Sequence, residues 1–436
     1  MNLLPNIAAL PLPIGAFSLS PSDWTIIWTG AATNVACALV GCFLVLRRMS
    51  MMGDALSHAV LPGLVVAYLL SHSLDIIPLF FGAAAVGLLT TFLIQTLHQY
   101  ARVPSDASMG VVFTSLFALG VVLVKKFVSG HFDIACVYEG SLELVVLADT
   151  VGGLPRPLFT TLIVLLINGL VLILLWKELK LSSFDPALAT TMGLSATAMH
   201  YLLMTLVAVT AVASFEAVGS ILVVAMLIVP AATAHLLTDR LAIMVGISAG
   251  IGILAAVLGC IAANYWDTNI AGMMTVAAGA LYGLAVFFSP RHGVCSALVR
   301  NLQMSLRVLH EDLLAMLYRV EEFDDSKHLT VAEAREAIGG GWLSRWSIAA
   351  LVRDNRIETA GEQLLLTDLG RTDARKLVRS HRLWETYLVQ HLGMPLDHVH
   401  EPAHRVEHFI DARLQQELEA EVDTEGQDPH GRQIPE

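Results

Sequence analysis

Nine apolar runs precede Pro290, at about residues 24–46, 56–70, 76–97, 109–124, 157–176, 198–213, 218–237, 241–263 and 270–288. Coiled at about 1.5 Å per residue, runs of this length cross all or most of the roughly 30 Å of hydrocarbon in a bilayer. Several are short or interrupted, at Pro62-Gly63 and at Pro230, so about nine membrane helices are expected rather than a sharply bounded set. The rest of the chain differs in kind. Of the 64 Asp, Glu, Lys and Arg residues, 42 follow Pro290, which divides the chain into a membrane domain at 24–290 and a polar portion after it. A formal net charge of −12 argues against non-specific attraction to nucleic acid or to an anionic lipid surface.

Basic loops set the orientation, because Lys and Arg are retained in the cytoplasm. Arg47, Arg48, Arg102, Lys177, Lys180, Arg240 and Arg291 fall on one side of a nine-span arrangement, which makes that side and the C-terminal portion cytoplasmic. Lys125, Lys126 and Arg156 fall on the other, and a re-entrant segment at 142–147 accounts for them. Residues 1–23 have no basic start and carry Pro5, Pro11 and Pro13, so they read as an extracytoplasmic arm rather than a signal peptide. The five cysteines show no CxxC spacing, hence neither a disulfide framework nor a zinc ribbon is expected. No GxxxxGK[ST] loop occurs, so this chain is expected to bind no nucleotide in the P-loop manner.

After a linker at 291–307 the pattern turns amphipathic. Helices are expected at 308–321, 330–338 and 344–354, a hairpin at 357–366, and further helices at 368–391 and 401–421, with a disordered tail at 422–436. Three helices and a hairpin suggest a winged helix-turn-helix at 308–367, followed by a helical domain at 368–421. The expected fold is therefore an all-α multi-span membrane domain joined to a cytoplasmic winged helix and a helical metal-binding and dimerisation domain.

Asp54 and His58 stand one turn apart at the mouth of the second run, where ionisable side chains are costly unless they serve a pathway. A helix cap beside a hydrogen-bonded histidine has the same spacing. As metal ligands, the oxygen and nitrogen suit manganese, iron(II) or zinc and not copper(I). Residues 47–63 (RRMSMMGDALSHAVLPG) and 218–234 (VGSILVVAMLIVPAATA) resemble the zinc, manganese and iron permease family of ATP-binding-cassette importers, and the likeness covers about 24–288. It implies that Asp54 and His58 line the metal pathway. It also implies that Phe184, Asp185, Pro186 and Gly193, in a segment that otherwise reads as a plain amphipathic loop, dock onto a separate ATPase subunit. A second permease subunit, the same or homologous, and an extracytoplasmic metal-binding protein are the other implied partners, with membrane lipid around them. His200, Glu216 and His235 are further ionisable residues near spans.

Six of the sixteen histidines lie between His381 and His408. His404, Glu407 and His408 share the i, i+3, i+4 spacing of one helix face, and His381 with Glu385 repeats it on the preceding helix. One such pair is ordinarily a solvated face; two sets on neighbouring helices point to a metal ion. Residues 366–371 (LTDLGR), 378–385 (VRSHRLWE) and 399–408 (VHEPAHRVEH) resemble the diphtheria-toxin-repressor family of metal-dependent regulators over about 308–421. The resemblance implies one metal site of His381, Glu385 and His400, and another of Asp312, His404, Glu407 and His408. His404 stands where relatives show Cys or Glu, and Ala315 where manganese-type relatives carry an acid, so manganese, zinc and iron(II) all stay open. The family reads operator DNA with the second helix of its turn motif. Here that helix offers Ser344, Arg345 and Ser347, few polar groups for base edges, and 25 acidic against 17 basic residues after Pro290 argue against DNA as a partner. The expectation is an importer subunit with a cytoplasmic metal sensor. A membrane-tethered transcriptional regulator and a metal carrier without an ATPase are the alternatives.

Overall fold

The structure, a computed structural model, describes residues 20–72, 76–127, 142–151, 153–324, 327–422 and 426–435. Most of the N-terminal arm therefore lies outside the described residues. The chain divides into two units, Met1–Ser296 and Ala297–Glu436.

The first unit is helical. α1 (Pro21–Leu46) begins at a capping box in which the Ser20 hydroxyl accepts from the Asp23 amide and the Asp23 carboxylate accepts from Ser20. α2 (Met51–Ala59), α3 (Leu61–Ser71), α4 (Ile76–Tyr100) and α5 (Ser105–Phe127) follow. α6 (Arg156–Leu174) leads through two short helices, α7 (Trp176–Phe184) and α8 (Pro186–Thr191), into α9 (Ala196–Val218), α10 (Ser220–Leu237), α11 (Leu241–Trp266) and α12 (Ile270–Phe288). Eight helical stretches among the described residues have the length and apolar composition of a membrane span, α2 and α3 counting as one, and Leu222–Leu237 within α10 is a shorter apolar helix. The nine expected runs thus all recur as helix, but only eight are long enough by themselves. α9 and α10 follow one another without a loop, because Gly219 takes φ +76° and turns the chain in a single residue.

α1 lies innermost, packed against α6, α9, α10 and α11, and Ala36 to Ala38 are fully buried. Apolar side chains gain little by leaving lipid for a neighbouring helix, so close backbone approach and polar ties hold such a bundle. A Cβ at position 41 would come 1.9 Å from the Leu227 carbonyl oxygen, and one at 63 would come 2.3 Å from that of Gly82. Only glycine fits either crossing. The Asn168 amide adds a tie from α6 to α9, donating to the Thr210 hydroxyl at 2.7 Å. By contrast α4, α5 and α6 leave Phe81, Phe92, Val122, Leu166 and Ile173 uncovered within the chain, as lipid or another membrane helix requires. The expected segment at 142–147 is a 3-10 helix (Leu142–Leu147) whose Glu143 carboxylate accepts from the Ile270 amide at 3.0 Å; residues 128–141 before it lie outside the described ones.

α13 (Val294–Phe323), all but its first three residues in the second unit, runs through most of the residues expected to be a linker, since that stretch has neither Pro nor an interior Gly to stop a leucine-rich helix. α14 (Val331–Ala337), capped by a Thr330/Glu333 box, α15 (Trp342–Arg353) and the antiparallel hairpin β1 (Ile357–Ala360) and β2 (Gln363–Leu366) complete a winged helix around Leu313, Leu317, Ile348, Leu351 and Leu364. β1 pairs with β2 from Ile357 opposite Leu366 to Ala360 opposite Gln363, turning at Gly361 with φ +65°. α16 (Asp368–Leu392) ends at Gly393 in the left-handed conformation. The expected helix at 401–421 is two helices, α17 (His400–Val406) and α18 (Ala412–Glu421), separated by a 3-10 turn at Glu407–Phe409, because Asp411 caps α18 by accepting from the Leu414 amide.

The tail is a second correction. Residues 426–435 form a closed turn, with Gln427 and Gln433 bridged and the Asp428 carboxylate accepting from the amides of His430 at 2.9 Å and Arg432 at 2.8 Å. Arg379 and Arg382 of α16 hold its carbonyls at Pro435 and Gln433. Charge, Gly and Pro suggested disorder; two arginines that find carbonyl partners fix the turn instead.

Candidate metal centre

His381 and Glu385 project from the buried face of α16, their side chains 3% exposed, and His400 opens α17 beside them. The His381 Nε2 atom is 3.1 Å from Glu385 Oε1 and 3.0 Å from His400 Nδ1, and the latter two are 3.0 Å apart. Ligands about 2.1 Å from one ion sit roughly 3.0–3.4 Å from each other, the spacing of this triangle.

A second group joins Asp312 of α13 to His404, Glu407 and His408. His404 Nδ1 lies 2.6 Å from Glu407 Oε1, and His408 Nε2 lies 3.3 Å from Asp312 Oδ1. Their ligand atoms, like those of the first group, all fall within 4.8 Å of one another. Glu407 links the groups, its Oε2 being 2.6 Å from His381 Nδ1. These two atoms are close enough for an ion pair yet off the line of a hydrogen bond, and with Asp312 Oδ1 they are buried polar atoms without a hydrogen-bond partner. An orphaned buried group costs about 1–3 kcal/mol, which at Asp312 Oδ1 a cation shared with His408 Nε2 would relieve. The donor set fits a divalent metal.

Electrostatics agree with the geometry. Burial opposes ionisation throughout, but His381 and His400 hold the Glu385 carboxyl down to about 2. Burial likewise resists charge on His408, yet Asp312, Glu311 and Glu407 push it up to about 9. His381 is raised by Glu385 and Glu407 against its burial. An incoming ion therefore meets ionised carboxylates and displaces protons from imidazoles. Glu311 went unnoticed in the sequence. Its carboxylate holds His408 Nδ1 at 2.7 Å, orienting Nε2 toward Asp312, and its only signal was adjacency to Asp312.

Asp54 and His58 lie on α2 with Asp54 Oδ1 and His58 Nε2 3.5 Å apart, each side chain about two-fifths exposed. His58 also meets the rings of Phe113 and Phe117 on α5. Phe184 is 58% exposed at the end of α7, Asp185 caps α8 by accepting from the Leu188 amide, Pro186 opens that helix, and Gly193 leaves it with φ +85°. Leu188 and Met192 are exposed with Phe184, an apolar patch outside the spans. The patch is anchored by Arg47, which donates to the hydroxyls of Ser182 and Ser183, each at 3.0 Å. His200 packs 3.4 Å from the Arg47 guanidinium, a poor place for a cation ligand; the Glu216 side chain lies outside the described residues.

Of the three residues expected to face DNA, only Arg345 does face solvent. Ser344 and Ser347 are 2% and 0% exposed, and Ser344 donates to the Ile338 carbonyl. The reason is periodicity: positions 344, 347, 348 and 351 share the core face of α15. Its outer face presents Trp342 and Trp346 in edge-to-face contact, which offer base edges almost no hydrogen-bonding pattern.

A multi-span helical bundle whose chain continues into a winged helix and a two-group metal centre defines a membrane transport subunit with a regulator-like extension. The profile of the ABC 3 transport family matches residues 24–289, and the chain belongs to that family. The iron dependent repressor metal binding and dimerisation domain matches residues 367–436. The chain is 46% identical over 284 residues to the manganese transport system membrane protein MntD of Bacillus subtilis, covering 64% of this chain and 96% of that one. It is 37% identical over 355 residues to the zinc transport system membrane protein TroD of Treponema pallidum, covering 79% and 96%. Among solved structures, PsaBC from Streptococcus pneumoniae in complex with Fab is similar with TM-score 0.54 and 32% identity, over 63% of this chain and 94% of that one.

Proposed function

We propose that this chain forms the pathway of an ATP-driven importer of manganese or a chemically similar divalent ion, zinc or iron(II), and that its C-terminal unit senses that ion in the cytoplasm and restrains transport. The observation that carries the reading is the presence in one chain of the transport-family bundle and of two convergent nitrogen and oxygen ligand groups. Imidazole and carboxylate donors without a thiolate suit these borderline and hard ions. A DNA-reading role is disfavoured by the buried serines and exposed indoles of α15. In this reading the ion passes Asp54 and His58, a second permease subunit faces this one, an extracytoplasmic binding protein delivers the ion, and a separate ATPase subunit seats the Phe184 patch. In the same reading the N-terminus lies outside and the metal centre in the cytoplasm, which most of the basic loops support.

The regulatory half is tested by uptake into vesicles holding the assembled importer with manganese supplied on the cytoplasmic side. The full chain is expected to slow as that manganese rises, and a chain ending at His292 to keep its rate; equal inhibition of both defeats the sensor. The coupling half is tested at Phe184. An exposed aromatic that anchors a docked partner carries about 2 kcal/mol or more, so Phe184→Ala should lower permease-stimulated ATP hydrolysis at least roughly tenfold at limiting ATPase subunit. Retained stimulation would make the segment a plain loop.

A further inference from the structure

The His381, Glu385 and His400 triangle offers three donors, fewer than the four or more that manganese, iron or zinc ordinarily takes. The tail turn approaches its open side. His430 Nε2 lies 4.0 Å from Glu385 Oε1, with 40% of its side chain exposed. Its position is built. Asp428, buried, organises the turn through the amides of His430 and Arg432, and Gly431 with φ +79° closes it. The Asp428 carboxylate also lies 3.5 Å from the guanidinium of Arg382, whose own side chain is 3% exposed and next in sequence to His381. The residue that positions the tail and the residue that begins the metal group are thus neighbours on α16.

We infer that His430 is a further ligand of the His381, Glu385 and His400 group, so that filling this site fastens the C-terminal turn to α16. A sub-ångström contraction toward a shared ion brings a 4.0 Å contact into the ligand spacing given above, and the exposed imidazole has the freedom to make it. The turn then reports the state of the site. Occupied, it is clamped at both its arginine-held carbonyls and its histidine; empty, it is held by the arginines alone. The inference rests on the reading that the triangle binds metal.

Cobalt(II) is the probe, added to the full chain purified in detergent. His430→Cys replaces an imidazole with a thiolate, and only a thiolate bonded to cobalt gives sulfur-to-metal charge-transfer absorption in the near ultraviolet. The described cysteines stand outside both ligand groups, so the unsubstituted chain should lack the band and the variant should show it. His430→Ala is expected to bind cobalt at this group about tenfold more weakly, and to lose the metal-dependent protection of 426–435 from hydrogen exchange that the unsubstituted chain shows. A cysteine variant that binds cobalt without the band overturns the inference and leaves the metal site standing. Should His381→Ala instead take up as much cobalt as the unsubstituted chain, the site itself fails, and the inference with it.

Discussion

Cells whose importer carries alanine in place of both Asp54 and His58 are expected to accumulate manganese at no more than the rate of cells lacking the chain. The two side chains are each about two-fifths exposed, His58 lying against the rings of Phe113 and Phe117, while Met52, Ala55 and Leu56 of the same helix are fully or almost fully buried. Alanine is the best helix former, and removing ionisable groups from a membrane-embedded helix lowers its burial cost, so the bundle should assemble as before. Loss of transport would then report loss of ligands. Each ligand lost from a site that binds by coordination costs at least the roughly 10–100-fold seen when even an outer partner is removed, and two losses multiply. Asp54→Asn with His58 intact should fall between, since the amide keeps one oxygen donor without the charge. The measurement is radiolabelled manganese uptake, normalised to assembled complex in the membrane. Unchanged accumulation in the double variant would remove these residues from the pathway.

The features legible in the sequence are those that repeat with a local period. Among the described residues, apolar runs match each long helix of the first unit's membrane core, because lipid leaves the backbone of a span no other way to satisfy its polar groups. The convergence of the histidines and carboxylates was legible for the same reason. His381 and Glu385, or His404 and Glu407, are neighbours along a single helical path, whereas Asp312 entered only through resemblance, being 92 positions before His404. What escaped depends on contacts between distant segments. Arg379 and Arg382 order a tail whose composition suggests none, and Asp411 ends one helix and starts another where the hydrophobic pattern runs on. Ser344 and Ser347 look available to DNA until the helix is turned so that Ile348 and Leu351 meet the core. Polarity alone did not reveal which face was outward.

Glu407→Ala should empty both ligand groups at once, although the residue belongs by spacing to only one. One carboxylate oxygen lies 2.6 Å from His404 and the other 2.6 Å from His381, so deleting it removes a direct donor from the second group and the partner that orients the key imidazole of the first. Affinity at the second group should fall by more than the ~10–100-fold of an outer-partner loss, and at the first by about that amount. The apo domain also changes. Glu407 lies 3.9 Å from Arg319, and losing the counter-charge of that partly exposed guanidinium costs less than the about 3–5 kcal/mol of breaking a fully buried pair. Glu407→Gln separates the effects, because the amide keeps the volume and one oxygen donor to the site but not the charge. Equilibrium dialysis of the full chain against manganese, with melting followed in parallel, is expected to show weakened binding at both groups for alanine and a smaller loss for glutamine. In the assembled importer either substitution should leave basal uptake near normal, since the pathway residues are elsewhere, while relieving inhibition by cytoplasmic manganese. If dialysis found the His381 group binding as before, the 2.6 Å contact would be incidental and the two groups independent; if neither group weakened, Glu407 would be a structural acid and the sensor would have to be sought outside this centre.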